Sequence, residues 1–153
     1  TTLAAPPQRR QMVQDHAGVR ASEQLLREMI QAEIDLGIPS ERILLAGFSQ
    51  GGAIALQAGL RYERPLAGIM GLSTLLPLAD SLAAEAADEN RATPIMLAHG
   101  AQDPVIPIEL AIRSRNALQQ MDYSVDWFEY AMPHSVCMEE LMDVRTWILE
   151  CLA

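Results

Sequence analysis

The chain has 153 residues, half of them apolar, which is enough for one domain with a true core and too apolar for a disordered segment. Its formal net charge of −9 leaves no basic patch for a phosphate backbone and argues against nucleic acid as a partner. No run approaches the roughly 18 apolar residues that cross a bilayer, and Thr1 to Arg10 lacks the basic-then-apolar pattern of a signal peptide.

Residues 1–153 read as a single α/β domain without an internal repeat, preceded by a loose arm over residues 1–11 that contains Ala5-Pro6-Pro7. Leu26, Ile30 and Ile34, flanked by Leu25 and Met29, place one apolar face on a helix from Asp15 to Leu36. Gly37 and Pro39 then stop it. Arg42 to Ala46 reads as a strand buried on both faces. Gly51 to Tyr62 follows as a helix and Leu66 to Leu72 as a second buried strand. The acidic, alanine-rich stretch from Pro77 to Asn90 reads as a loop with a short helix. Pro94 to Ala98 is a third strand. A helix from Pro107 to Met121 follows, with Ile108, Ile112 and Leu118 on one side. Val125 to Tyr130 is amphipathic and therefore a strand nearer an edge, and Cys137 to Leu152 is a helix with Cys137, Leu141, Val144, Ile148 and Leu152 as its stripe. Strands alternating with helices predict a parallel sheet covered on both faces.

The two cysteines, Cys137 and Cys151, fall on that last helix about 21 Å apart at 1.5 Å per residue, too far for a disulfide. Reduced, packed thiols suit a cytoplasmic protein. The eight methionines read as core filler.

Gly47-Phe48-Ser49-Gln50-Gly51 matches G-x-S-x-G between a strand and a helix. A tight turn there projects the serine hydroxyl from the sheet, with small residues at Gly47 and Gly51 allowing close approach. The free N–H groups of the following helix, Gln50 first, face any oxyanion beside Ser49. Taken alone, the pattern is equally a glycine-rich turn. A P-loop is excluded, because Ala53-Ile54 replace the required Lys-Ser/Thr.

Asp103 lies just past the third strand and His134 just past the fourth, giving the chain order Ser, Asp, His of an α/β hydrolase. Serine is a weak nucleophile, so His134 would take its proton while Asp103 holds the imidazole and stabilises the imidazolium. Asp103 also suits a turn before Pro104, and His134 a plain loop histidine. Asp80 and Asp126 are weaker candidates for the acid; His99 reads as a structural hydrogen-bonding residue and His16 as a solvated one. No spacing of histidines, cysteines or acids suggests a metal.

Three segments, Ala46 to Ala53, His99 to Pro107 and Met132 to Val136, make the chain similar to the carboxylesterase and acyl-protein thioesterase (phospholipase/carboxylesterase) family of α/β hydrolases. Gly18 to Ser22 and Gly37 to Ile43 also resemble it. The resemblance implies a cofactor-free serine carboxylesterase acting on small ester or thioester substrates, with Leu75 and Val105 lining the substrate site. Family members carry further strands before the first helix, and a His-Gly loop there gives the second oxyanion N–H. This chain resembles the carboxyl-terminal part of that fold, which predicts an incomplete oxyanion hole, an exposed strand edge at Ser49 and uncovered apolar surface. A homo-oligomer or a truncated chain is expected. The other reading is a weakly active or inactive hydrolase fold serving as an interaction module.

Overall fold

A computed structural model describes residues 15–153 of the chain; the arm proposed over residues 1–11 lies outside them. The first helix, α1, spans His16–Asp35. The Asp15 carboxylate caps it by accepting the Gly18 N–H at 2.8 Å. At the other end Gly37 takes φ +100°; its N–H bonds to Ile34 O at 2.9 Å, and the Ile38 N–H bonds to Glu33 O at 3.2 Å. This is the Schellman geometry that only a glycine enters without strain.

Four strands follow: β1 (Leu44–Phe48), β2 (Gly68–Leu72), β3 (Ile95–Gly100) and β4 (Val125–Tyr130). They pair in parallel in the spatial order β1-β2-β3-β4. Helices α2 (Gln50–Gly59), α3 (Ala79–Glu85) and α4 (Ile108–Gln120) connect them, and α5 (Met138–Cys151) ends the fold. Sequential order with right-handed crossovers puts the three connecting helices on one face of the sheet. Two cores form accordingly. Leu45, Ile69, Ile95 and Leu97 pack with Ile30 of α1, Leu56 of α2, Leu82 of α3 and Leu118 of α4. Met70, Met96, Ala98 and Tyr130 point the other way, against Trp147 of α5. The alternation of inward residues along each strand divides the sheet between these two cores.

The short helix in the Pro77–Asn90 segment is present as α3. Several expectations need correction. Leu25 and Met29 do not join the core; they are 62% and 64% exposed. β1 is not buried on both faces, since Ala46 and Phe48 are exposed. Among the described residues β1 pairs only with β2, so its other edge and the groove beside it are open. That groove, of about 530 Å³, is lined by Leu25, Leu26, Met29, Leu44, Ala46 and Ile54 among others. Leu141 of α5 is exposed; the helix has turned inward on Glu140 and Trp147, with Val144, Ile148 and Cys151 beside them. On α4 the residues turned fully inward are Ala111, Ser114 and Leu118, with Ile108 and Ile112 half-buried. Of the methionines, Met70, Met96 and Met132 are core, but Met29, Met138 and Met142 are exposed. Cys137 and Cys151 are free, at opposite ends of α5.

Candidate active site

The strand β1 ends at Phe48 and α2 begins at Gln50, so Ser49 alone makes the turn between them. It does so at φ 56° and ψ −119°, a conformation that side chains rarely adopt. Neighbouring groups hold it there. The Ser49 N–H bonds to Leu72 O at 2.8 Å, and Ser49 O accepts both the Ala53 N–H at 3.1 Å and the Thr74 hydroxyl at 2.6 Å.

The close approach of strand and helix rests on Gly47 and Gly52, which corrects the role expected of Gly51. A Cβ on Gly47 would stand 2.2 Å from the Gly51 carbonyl carbon. One on Gly52 would stand 2.7 Å from Gly47 O and 2.9 Å from the Thr74 methyl, whereas one on Gly51 would meet nothing within 4 Å.

The structure brings Ser49, His134 and Asp103 together above the carboxyl ends of β1, β3 and β4. His134 Nδ1 lies 2.6 Å from Asp103 Oδ2, and His134 Nε2 lies 3.1 Å from Ser49 Oγ. An ionised carboxylate can only accept, so Nδ1 carries the proton, leaving Nε2 to accept from the serine hydroxyl. The second carboxylate oxygen, Asp103 Oδ1, accepts the Val105 and Ile106 N–H groups, both at 2.8 Å. The Asp103 side chain is fully buried and the His134 ring half-buried. The Phe48 ring packs on the imidazole at 4.8 Å between centroids and limits its swing.

Gln50 is the first residue of α2, so its N–H has no intrahelical partner and stays free next to the nucleophile. Leu75 lines a cavity of about 250 Å³ with Gln50, Gly51 and Ile54, closed on one side by Asp15, Val19 and Ser22 of the α1 start. Val105 is 38% exposed; its backbone serves Asp103, and its side chain does not line that cavity. His16 is exposed. Asp80 is exposed in the first turn of α3 and Asp126 accepts the Trp147 indole N–H at 3.0 Å, whereas the acid that His134 meets is Asp103. Among the described residues, no group of histidines, cysteines or acids is arranged to hold a metal. No helix of the described residues is long and apolar enough to cross a membrane.

Thr74 and Phe48 gave no signal of a role beside Ser49. Thr74 sits one residue past the turn that follows β2, and a lone threonine there carries no periodicity. Phe48 occupies the free position of G-x-S-x-G.

A parallel sheet with a serine on a strained strand-to-helix turn, and an imidazole between that serine and a buried carboxylate, defines an α/β hydrolase. Within that class, residues 7–152 match the family described as Phospholipase/Carboxylesterase, and the chain belongs to it. The chain is 43% identical over 138 residues to acyl-protein thioesterase 1 of Gibberella zeae, a match covering 88% of this chain and 59% of that protein. It is 42% identical over 142 residues to acyl-protein thioesterase 1 of Neurospora crassa, covering 91% and 58%. The chain therefore spans about three fifths of the length of these relatives. Its fold matches Arabidopsis thaliana SOBER1 with a TM-score of 0.87 at 28% identity, covering 91% of this chain and 67% of that one.

Proposed function

We propose that the chain is a serine carboxylesterase working through an acyl-enzyme, with Ser49 as nucleophile, His134 as general base and acid, and Asp103 as its orienting carboxylate. The observation that supports this best is the pair of bonds made by one imidazole, 3.1 Å to Ser49 Oγ and 2.6 Å to Asp103 Oδ2.

Ser49 Oγ attacks the ester carbonyl carbon as its proton passes to His134 Nε2. The carbonyl oxygen becomes an oxyanion facing the Gln50 N–H at the positive end of α2. Collapse breaks the bond to the leaving alcohol, or thiol for a thioester, which takes the proton from His134. Water then attacks the acyl-Ser49 carbonyl, giving its proton to the same nitrogen, and the second collapse frees the acid and restores the hydroxyl. Asp103 stays ionised and stabilises the imidazolium twice per cycle. Leu75 lines the cavity that would take the acyl group; Val105, expected beside it, stands outside that cavity and supports Asp103 through its backbone instead. The names of the fungal relatives favour thioesters, and the description of the family oxygen esters. The free thiols are in keeping with a cytoplasmic setting.

Hydrolysis of a short p-nitrophenyl ester by the wild type and by Ser49→Ala tests the proposal: turnover that vanishes with the hydroxyl supports it, and equal turnover removes it.

A further inference from the structure

His99 is the penultimate residue of β3 and is 1% exposed, yet the proposed chemistry does not use it. Its Nε2 lies 2.7 Å from the carbonyl oxygen of Ile106. A carbonyl oxygen only accepts, so Nε2 carries a proton and donates it there. The same nitrogen stands 3.5 Å from Asp103 Oδ2, the oxygen that faces His134.

These contacts bind the turn from residue 103 to 106 at both ends. The N–H of Ile106 is held by Asp103 Oδ1 and its C=O by His99. Ile106 is itself buried and cannot exchange these partners for water. With the turn so fixed, the carboxylate rotates little about its own axis, and Oδ2 is left toward His134. An aliphatic side chain at residue 99 could fill the space but would orphan the Ile106 carbonyl and free the turn to shift. The sheet gives His99 its precision, because β3 lies between β2 and β4 with every residue buried.

We infer that His99 is a positioning residue: through the Ile106 carbonyl it holds the Asp103 turn so that the carboxylate meets His134. The inference rests on the reading of Asp103 as the acid partner of His134.

The test uses the full chain with His99→Leu, which removes the donor, and His99→Gln, whose amide N–H can reach the place of Nε2. Two readouts are taken beside thermal stability: the pH profile of fluorophosphonate labelling at Ser49, and the far-downfield proton resonance of His134 Nδ1. For His99→Leu, labelling slows about 10- to 100-fold, as for a catalytic group displaced by about an ångström. The pH profile of labelling departs from that of the wild type, because the carboxylate no longer meets the imidazole in the same geometry. The downfield resonance broadens or shifts upfield. His99→Gln restores the resonance and most of the rate. The inference is overturned if His99→Leu keeps the wild-type resonance and profile, whatever its stability, or if folded His99→Gln is no better than His99→Leu. It is equally overturned if neither variant folds, since His99 is then simply structural. A wild-type chain that never labels would sink the esterase reading, while the His134 resonance, which needs no turnover, would still decide the role of His99.

Discussion

Thr74 and Ser49 are joined by a 2.6 Å hydrogen bond from the threonine hydroxyl to the carbonyl oxygen of the strained serine. The same threonine presses its methyl group toward Gly52 and Gly71. It thus ties the end of β2 to the turn after β1 and helps to hold a backbone conformation that costs about 1–3 kcal/mol. Thr74→Val keeps the shape and deletes the bond. The expected result is a stability loss of about 1 kcal/mol in urea unfolding and slower labelling at Ser49, both recovered in Thr74→Ser.

The three glycines of the turn separate by what surrounds them. Gly47→Ala is expected to abolish folding or shift the turn, because its Cβ would collide with the backbone of Gly51, which cannot give way. Gly51→Ala enters open space on a helix and should be neutral or stabilising by up to ~1 kcal/mol. Soluble yield and urea midpoints for the pair check this ordering.

The strand-turn-helix at residues 47–51 and the order Ser, Asp, His were legible because chemistry demands those residue types in those places. The strands were legible as short apolar runs between glycines and prolines. The inward face of α5 was legible in part: Cys137, Val144 and Ile148 of the expected stripe pack against the core, whereas Leu141 is exposed and Glu140 and Trp147 are buried. That helix carries apolar residues on two sides, and a 3.6-residue period cannot choose between the side with Leu141 and the side with Trp147. Burial of Glu140 ran against every compositional rule. The partners of Ser49 O and Ile106 O were hidden for another reason: backbone carbonyls leave no mark in a sequence, and Thr74 and His99 meet them only once the strands lie side by side.

Glu140 predicts a pH dependence. It is fully buried near Asp143, and neither of its oxygens has a hydrogen-bond partner among the described residues. Burial, and then the Asp143 charge, push its carboxyl up to about 7 from an ordinary 4.5. Between these values the folded chain keeps a proton that the unfolded chain releases. Stability should therefore fall as pH rises from about 4.5 to 7, by up to ~1.4 kcal/mol per unit, and level off above. Glu140→Gln should flatten this slope and gain most at pH 8. Urea unfolding of both proteins at pH 5 and pH 8 measures it.

Among the described residues no strand covers the outer edge of β1, and with the apolar groove next to it this favours association of chains. At low micromolar concentration, light scattering coupled to size exclusion is expected to report more than the 16.8 kDa of one chain. Replacing exposed Leu25 and Met29 in the groove with Lys should drive the chain toward monomer.

The most direct test of the proposed chemistry is intact mass after treatment with a fluorophosphonate. One adduct per folded chain is expected, located by peptide mapping at Ser49, absent from Ser49→Ala, and formed far more slowly in His134→Ala. A folded wild-type chain that gains no mass, or one whose adduct persists in Ser49→Ala, would contradict that chemistry.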